Sequence, residues 1–269
     1  MKRLLLFIAL ILLPAAAFPF GTGMEGCTGD CTACHKVKQD EVTTLLHSFD
    51  PALSVDEVKD APVRGLYQLR LRRNGQPAGI AYLDFGKKHL LVGDIINLST
   101  REDLTRKSFE ESLSIDVSRI DKQLTLVMGN PQGKKVLYLF TDPECPFCGK
   151  LHEEIKALVA EDKDLKVTIV LTPLPMHPDA VWKSQTILCA ARKDMARALS
   201  LLDDSFAKKP ITRAPCVTVA EASLVGMAKQ HGIGSTPTMA FADGKVALGF
   251  KKKEEIARLL QLHGDSGKK

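Results

Sequence analysis

Two things are scarce in this chain: an excess of one charge, and apolar runs long enough to cross a membrane. It has 37 lysines and arginines against 32 aspartates and glutamates, a formal net charge of +5. Lys2 and Arg3 belong to a leader described below, and without them the balance is 35 to 32, or +3. So small an excess argues against nucleic acid or an anionic membrane as a partner. The surface reads instead as solvated charge with a lysine-rich tail. The apolar run Leu4 to Leu13 is about half the roughly 20 residues of a spanning helix. It follows the basic Met1-Lys2-Arg3 and precedes the small residues Ala15-Ala16-Ala17, the pattern of a secretory signal peptide cut near Ala17. No cysteine immediately follows that run, so no lipid anchor is expected on Cys27. The expected destination is outside the cytosol.

Export governs how the seven cysteines are read, because structural and catalytic disulfides both persist outside the cytosol. They form three groups: Cys27, Cys31 and Cys34; Cys145 and Cys148; Cys189 and Cys216. After the leader (1–17), a segment over 18–39 lacks periodicity and carries the first group. Over 40–100, Val42, Leu45, Leu46 and Phe49 mark a helix that stops at Asp50-Pro51. Leu66–Arg73 alternates, with Tyr67, Leu69 and Leu71 on one side, and Asn74-Gly75 signals a hairpin into a strand at Ile80–Asp84. A third strand is expected over His89–Leu98. Such a small sheet has an open edge through which two chains can pair. Residues 101–126 place Phe109, Leu113, Ile120 and Leu124 at helical spacing and read as a helical linker.

The second domain, 127–269, opens with strand Val136–Thr141, helix Pro146–Ala160 and strand Val167–Leu171, a βαβ unit. A helical block follows from Pro178 to about Gln230. Thr238–Ala242 and Val246–Phe250 then form a hairpin through Asp243-Gly244, and Lys253–His263 closes as a helix. This order is an α/β thioredoxin fold with a helical insertion.

The stretch Phe140-Thr141-Asp142-Pro143-Glu144-Cys145-Pro146-Phe147-Cys148 joins the first of these strands to its helix. Cys145 precedes a proline suited to the first helical position, so its sulfur meets the free N–H groups and positive end of the helix dipole. A thiolate, the nucleophile of disulfide exchange, is stabilised there. Cys148, one turn in, is expected to be more buried and to act second. Zinc would need two further ligands, and only His152 stands near. Glu144 reads as an exposed loop carboxylate, and Asp142 as a buried carboxylate or a turn residue. Cys31-Thr32-Ala33-Cys34-His35 has the pattern of covalent haem c with His35 as axial ligand, and Met24, His47 or His89 as a sixth ligand. A local disulfide, or a metal held by three cysteines and His35, are the alternatives.

The dithiol with its flanks, Phe140-Thr141-Asp142 before and Gly149-Lys150-Leu151-His152 after, together with Gly234-Ser235-Thr236-Pro237 and the preceding sheet and linker, resembles the DsbC/DsbG family of periplasmic disulfide isomerases. The resemblance spans about 40–263 and leaves 18–38 uncovered. It implies that the N-terminal unit is a small α+β (cystatin-like) dimerisation domain. It implies that Thr236-Pro237 is a cis bond facing the active sulfur and binding substrate backbone, and that Cys189 and Cys216 form a non-catalytic disulfide; two buried free thiols are the other reading of that pair. The activity implied is rearrangement of non-native disulfides in unfolded or misoxidised secreted proteins, with a DsbD-like membrane thiol reductase as partner and no cofactor required. The rival activities are dithiol oxidase or reductase on the same fold, and a haem electron-transfer or sensor protein.

Overall fold

The computed structural model describes residues 35–214 and 219–265. The leader, Cys27, Cys31, Cys34 and Cys216 lie outside the described residues, so the haem motif is represented only by His35.

Val37 to Lys269 clusters as one compact unit. It begins with α1 (Gln39–His47), whose Val42 and Leu46 are buried while Phe49, just beyond it, is exposed. β1 (Leu53–Asp60), β2 (Leu66–Arg73), β3 (Gln76–Asp84) and β4 (Leu90–Leu91) follow and form an antiparallel sheet in that order. Tyr67, Leu69 and Leu71 point to one face, where they meet Val42, Leu46, Leu53 and Val55. The turn Asn74-Gly75 has φ of 51° and 77°, the left-handed pair of a type I′ hairpin, and sets Arg73 opposite Gln76.

Three expectations are corrected in this half. β1 is an additional strand; a register shift between Val55 and Glu57 breaks its alternation and hides it. The strand expected over His89–Leu98 shrinks to Leu90–Leu91. Beyond Gly93 the chain turns to α2 (Leu104–Ser112), where the Ile95 N–H donates to Thr105 Oγ1 at 2.8 Å. The linker over 101–126 is not one helix. α2 ends at Ser112, two short 3₁₀ turns follow, and β5 (Thr125–Gly129) has already begun. Ile115, Ile120 and Leu124 are each inserted separately into the larger core.

That core belongs to a five-stranded sheet, order β5-β7-β6-β8-β9, in which β6 (Lys135–Thr141) and β7 (Leu165–Leu171) are parallel. α3 (Pro146–Glu161) makes the crossover, burying Leu151, Ile155 and Leu158 against the sheet. The inserted helices are α4 (Ala180–Ala191), α5 (Met195–Phe206) and α6 (Glu221–Gln230). The hairpin β8 (Thr238–Phe241) and β9 (Val246–Leu248) and the helix α7 (Lys253–His263) complete a thioredoxin fold. The linker is bound to this hairpin: the Ile115 N–H donates to Gly244 O at 2.9 Å, and the Leu248 N–H donates to Glu110 at 2.7 Å. A side chain at Gly244 would place its Cβ 2.6 Å from Ile115 O, and φ there is +84°, so glycine alone fits.

Candidate active site

β6 ends in a buried Thr141-Asp142, and the chain turns through Pro143-Glu144 into α3. The turn is tied twice by Asp142: its carbonyl accepts from the Cys145 N–H at 3.1 Å, and its carboxylate from the Glu144 N–H at 2.7 Å. Cys145 caps α3 in an extended conformation with Pro146 in the first turn, as the sequence predicts. Both Cys145 and Cys148 are free thiols, 6% and 0% exposed.

Their environments push them apart. The Cys145 thiol is lowered to about 6, chiefly by a hydrogen bond from Cys148, against the cost of its burial; the backbone of Cys148 and Phe147 and the side chain of Thr236 add to the lowering. Cys148 is pushed up strongly by burial and by its bond to Cys145, only partly offset by the Asp142 backbone and the hydroxyls of Thr236 and Thr141. Opposite the pair, the Thr236-Pro237 bond is cis, and Thr236 O accepts from the Cys145 thiol at 3.6 Å.

The thioredoxin-like domain model matches residues 122–264, and the model of the disulfide bond isomerase protein N-terminal domain matches 33–106. The thiol:disulfide interchange protein DsbC of Dickeya dadantii is 30% identical over 212 residues, 77% of this chain and 81% of that protein. DsbC of Escherichia coli K12 is 27% identical over 213 residues, with the same coverage. The probable DsbC of Bordetella avium is 27% identical over 208 residues, 77% of this chain and 69% of that protein. The chain belongs to the DsbC family. It is a thiol-disulfide oxidoreductase with a thioredoxin-like domain and a DsbC-type N-terminal domain.

Around the dithiol of this DsbC-family chain stand residues the sequence reading missed or misjudged. Asp142 is a buried carboxylate with a further job: it accepts from the Leu174 N–H at 2.7 Å and lies 2.8 Å from His177 Nδ1, joining the cysteine turn to the loop after β7. Glu144 is not an exposed loop carboxylate. It pairs with Lys183 at 2.8 Å and accepts from the Asp179 N–H, also at 2.8 Å, which turns its charge toward α4. His152, the residue weighed as a zinc ligand, is 1% exposed and its Nε2 lies 2.8 Å from Asp203 on α5. Among the described residues no group of three or more His, Cys, Asp and Glu is placed to hold a metal ion.

Cys189 lies on α4 and is disulfide-bonded. His47 ends α1, and His89 follows the β3 turn with its Nδ1 3.4 Å from Asp84 Oδ2. Among the described residues no helix is long and apolar enough to cross a membrane.

Proposed function

We propose that this chain is an exported, dimeric disulfide isomerase in which Cys145 is the attacking nucleophile and Cys148 the resolving thiol. One observation carries the reading: the thiol at the helix end is the acidic one, lowered to about 6, while its neighbour is wholly buried and held protonated. Cys145 thiolate attacks a wrong disulfide of the client. One client sulfur becomes bound to Cys145, and the other leaves as a thiolate and takes up a proton. A client thiolate then attacks the mixed disulfide, forms a new client disulfide and returns Cys145 reduced. When the client stalls, Cys148 attacks Cys145 instead, releasing a reduced client and leaving the enzyme oxidised. A membrane reductase of the DsbD kind resets the dithiol. The two sulfurs suffice for these steps, so no cofactor enters them.

Thr236 and Pro237 form the wall against which an extended client lies, through the Thr236 backbone. Cys189, already in a disulfide, has Cys216 as its partner in this reading, a bridge that stabilises by about 3–4 kcal/mol. Residues 40–100 serve as the dimerisation domain, 101–126 as the linker and 127–269 as the catalytic domain. The apolar segment after β4 supports pairing of two chains: Val92 is 80% exposed and Leu98 91%. The clients are unfolded or misoxidised secreted proteins of the periplasm, and nucleic acid is no partner.

Trapping in cells tests the assignment. The Cys148→Ala variant should accumulate mixed disulfides with secreted proteins on non-reducing gels, and wild-type Cys145 and Cys148 should be mostly reduced. A mostly oxidised dithiol would contradict the isomerase reading and favour an oxidase.

A further inference from the structure

Beside the candidate nucleophile is a cleft of about 260 Å³ that the exchange chemistry does not use. Cys145 lines one part of it and Phe206 another. Its charged lining is three lysines, Lys183, Lys208 and Lys209, against one carboxylate, Glu144. Glu144 is already consumed by Lys183, at 2.8 Å. Lys209 is held by Asp204 at 3.1 Å. Lys208 is exposed and has no ion pair or side-chain hydrogen bond among the described residues. The cleft therefore presents net positive charge next to the reactive sulfur.

The backbone adds a second observation. α5 ends in a Schellman turn: the Lys208 N–H donates to Ser205 O at 3.0 Å and the Lys209 N–H to Asp204 O at 2.9 Å. Lys208 occupies the left-handed position of that turn, at φ 56°, where glycine is the usual residue. A lysine is thus kept at a backbone cost at the rim of the cleft. The chief lowering of Cys145 comes from Cys148, Thr236 and Phe147 rather than from the lysines.

We infer that this cleft selects disulfide partners that carry an acidic residue close to the attacked cysteine, with Lys208, beside the paired Lys209, receiving the carboxylate. The inference deepens the proposed function and rests on Cys145 being the nucleophile. In the step concerned, Cys145 thiolate displaces one sulfur of a peptide disulfide; the peptide S–S bond breaks, a Cys145–peptide S–S bond forms, and the departing thiolate is protonated. Cys148 then releases the peptide, so the enzyme dithiol is oxidised as the peptide disulfide is reduced. A carboxylate seated by the lysines lowers the energy of approach without entering the chemistry, and salt should screen it.

The test is single-turnover oxidation of the reduced, full-length protein by two disulfide peptides that are identical except for Glu or Lys next to the cysteine. Reactions are acid-quenched and followed by mass. The Glu peptide should react at least fivefold faster at low salt, with the ratio shrinking toward one as salt is raised. In the double variant Lys208→Glu, Lys209→Glu the ratio should fall below one. Equal rates for the two peptides in wild type would overturn the inference. So would a ratio that the double variant leaves unmoved while its urea midpoint drops, because the lysines would then serve only the end of α5. If neither peptide reacts, the assignment of Cys145 as nucleophile fails, and this inference with it.

Discussion

Two cysteines three positions apart acquire opposite characters because Cys145, at the helix end, accepts a hydrogen bond from Cys148, which is buried inside the first turn. With Cys145 lowered to about 6, half of it is thiolate at that pH, against about 8.5 for an ordinary cysteine. Alkylation of the reduced protein by iodoacetamide should therefore rise with pH through about 6 and level off by about 7. The hydrogen bond from Cys148 is the largest cause of the lowering, so Cys148→Ala should move the midpoint upward. A midpoint that stays put would show that Cys148 does not hold the thiolate. Asp142 is the other residue on which the site depends. Asp142→Ala leaves the Glu144 and Leu174 N–H groups and His177 without their acceptor, and should cost about 3 kcal/mol in urea unfolding. The placement of Cys145, Pro146 and Cys148 at a strand–helix junction was legible because the three lie in a contiguous pattern. His177 was not: it meets Asp142 across 35 positions, and a lone histidine before a proline carries no periodic signal.

Between elements, α3 is fixed to α5 by a contact from a buried histidine to a half-exposed carboxylate. His152 on α3 reaches Asp203 on α5 and lies against Phe206, ring centroids 5.1 Å apart. Burial lowers the His152 imidazole below the usual histidine range, with Asp203 opposing that effect. The unfolded chain thus takes up a proton at a pH where the folded one does not. Stability present above about 6.5 is then lost as pH falls through the gap between the two values. The urea midpoint of wild type should drop more steeply between pH 6.5 and 5 than that of His152→Gln; parallel curves would contradict a buried neutral imidazole. Legibility at this scale followed periodicity. α3, β6 and α7 show their spacing plainly, whereas β1 is masked by its bulge and by Asp56, Glu57 and Lys59. β5 is short and follows a 3₁₀ turn, so its first residues, Thr125 and Leu126, fell inside the expected helical linker.

For the whole molecule, what turns a thioredoxin fold into an isomerase in this account is the N-terminal sheet and the linker fastened to β9. The order of units was legible because each has its own hydrophobic period. The linker was not, since Ile115, Ile120 and Leu124 are placed one by one by the core they enter. The dimer claim is tested by charge on the exposed segment after β4. Wild type should sediment as a dimer, and Val92→Asp with Leu98→Asp should sediment as a monomer whose Cys145 still titrates near pH 6. A wild-type monomer would contradict it. Isomerisation through Cys145 is tested by refolding a scrambled multi-disulfide protein with wild type, Cys148→Ala and Cys145→Ala side by side. Recovery is expected with wild type, part of that recovery with Cys148→Ala, and none above background with Cys145→Ala. Recovery that survives loss of Cys145, or that vanishes entirely with loss of Cys148, would contradict it.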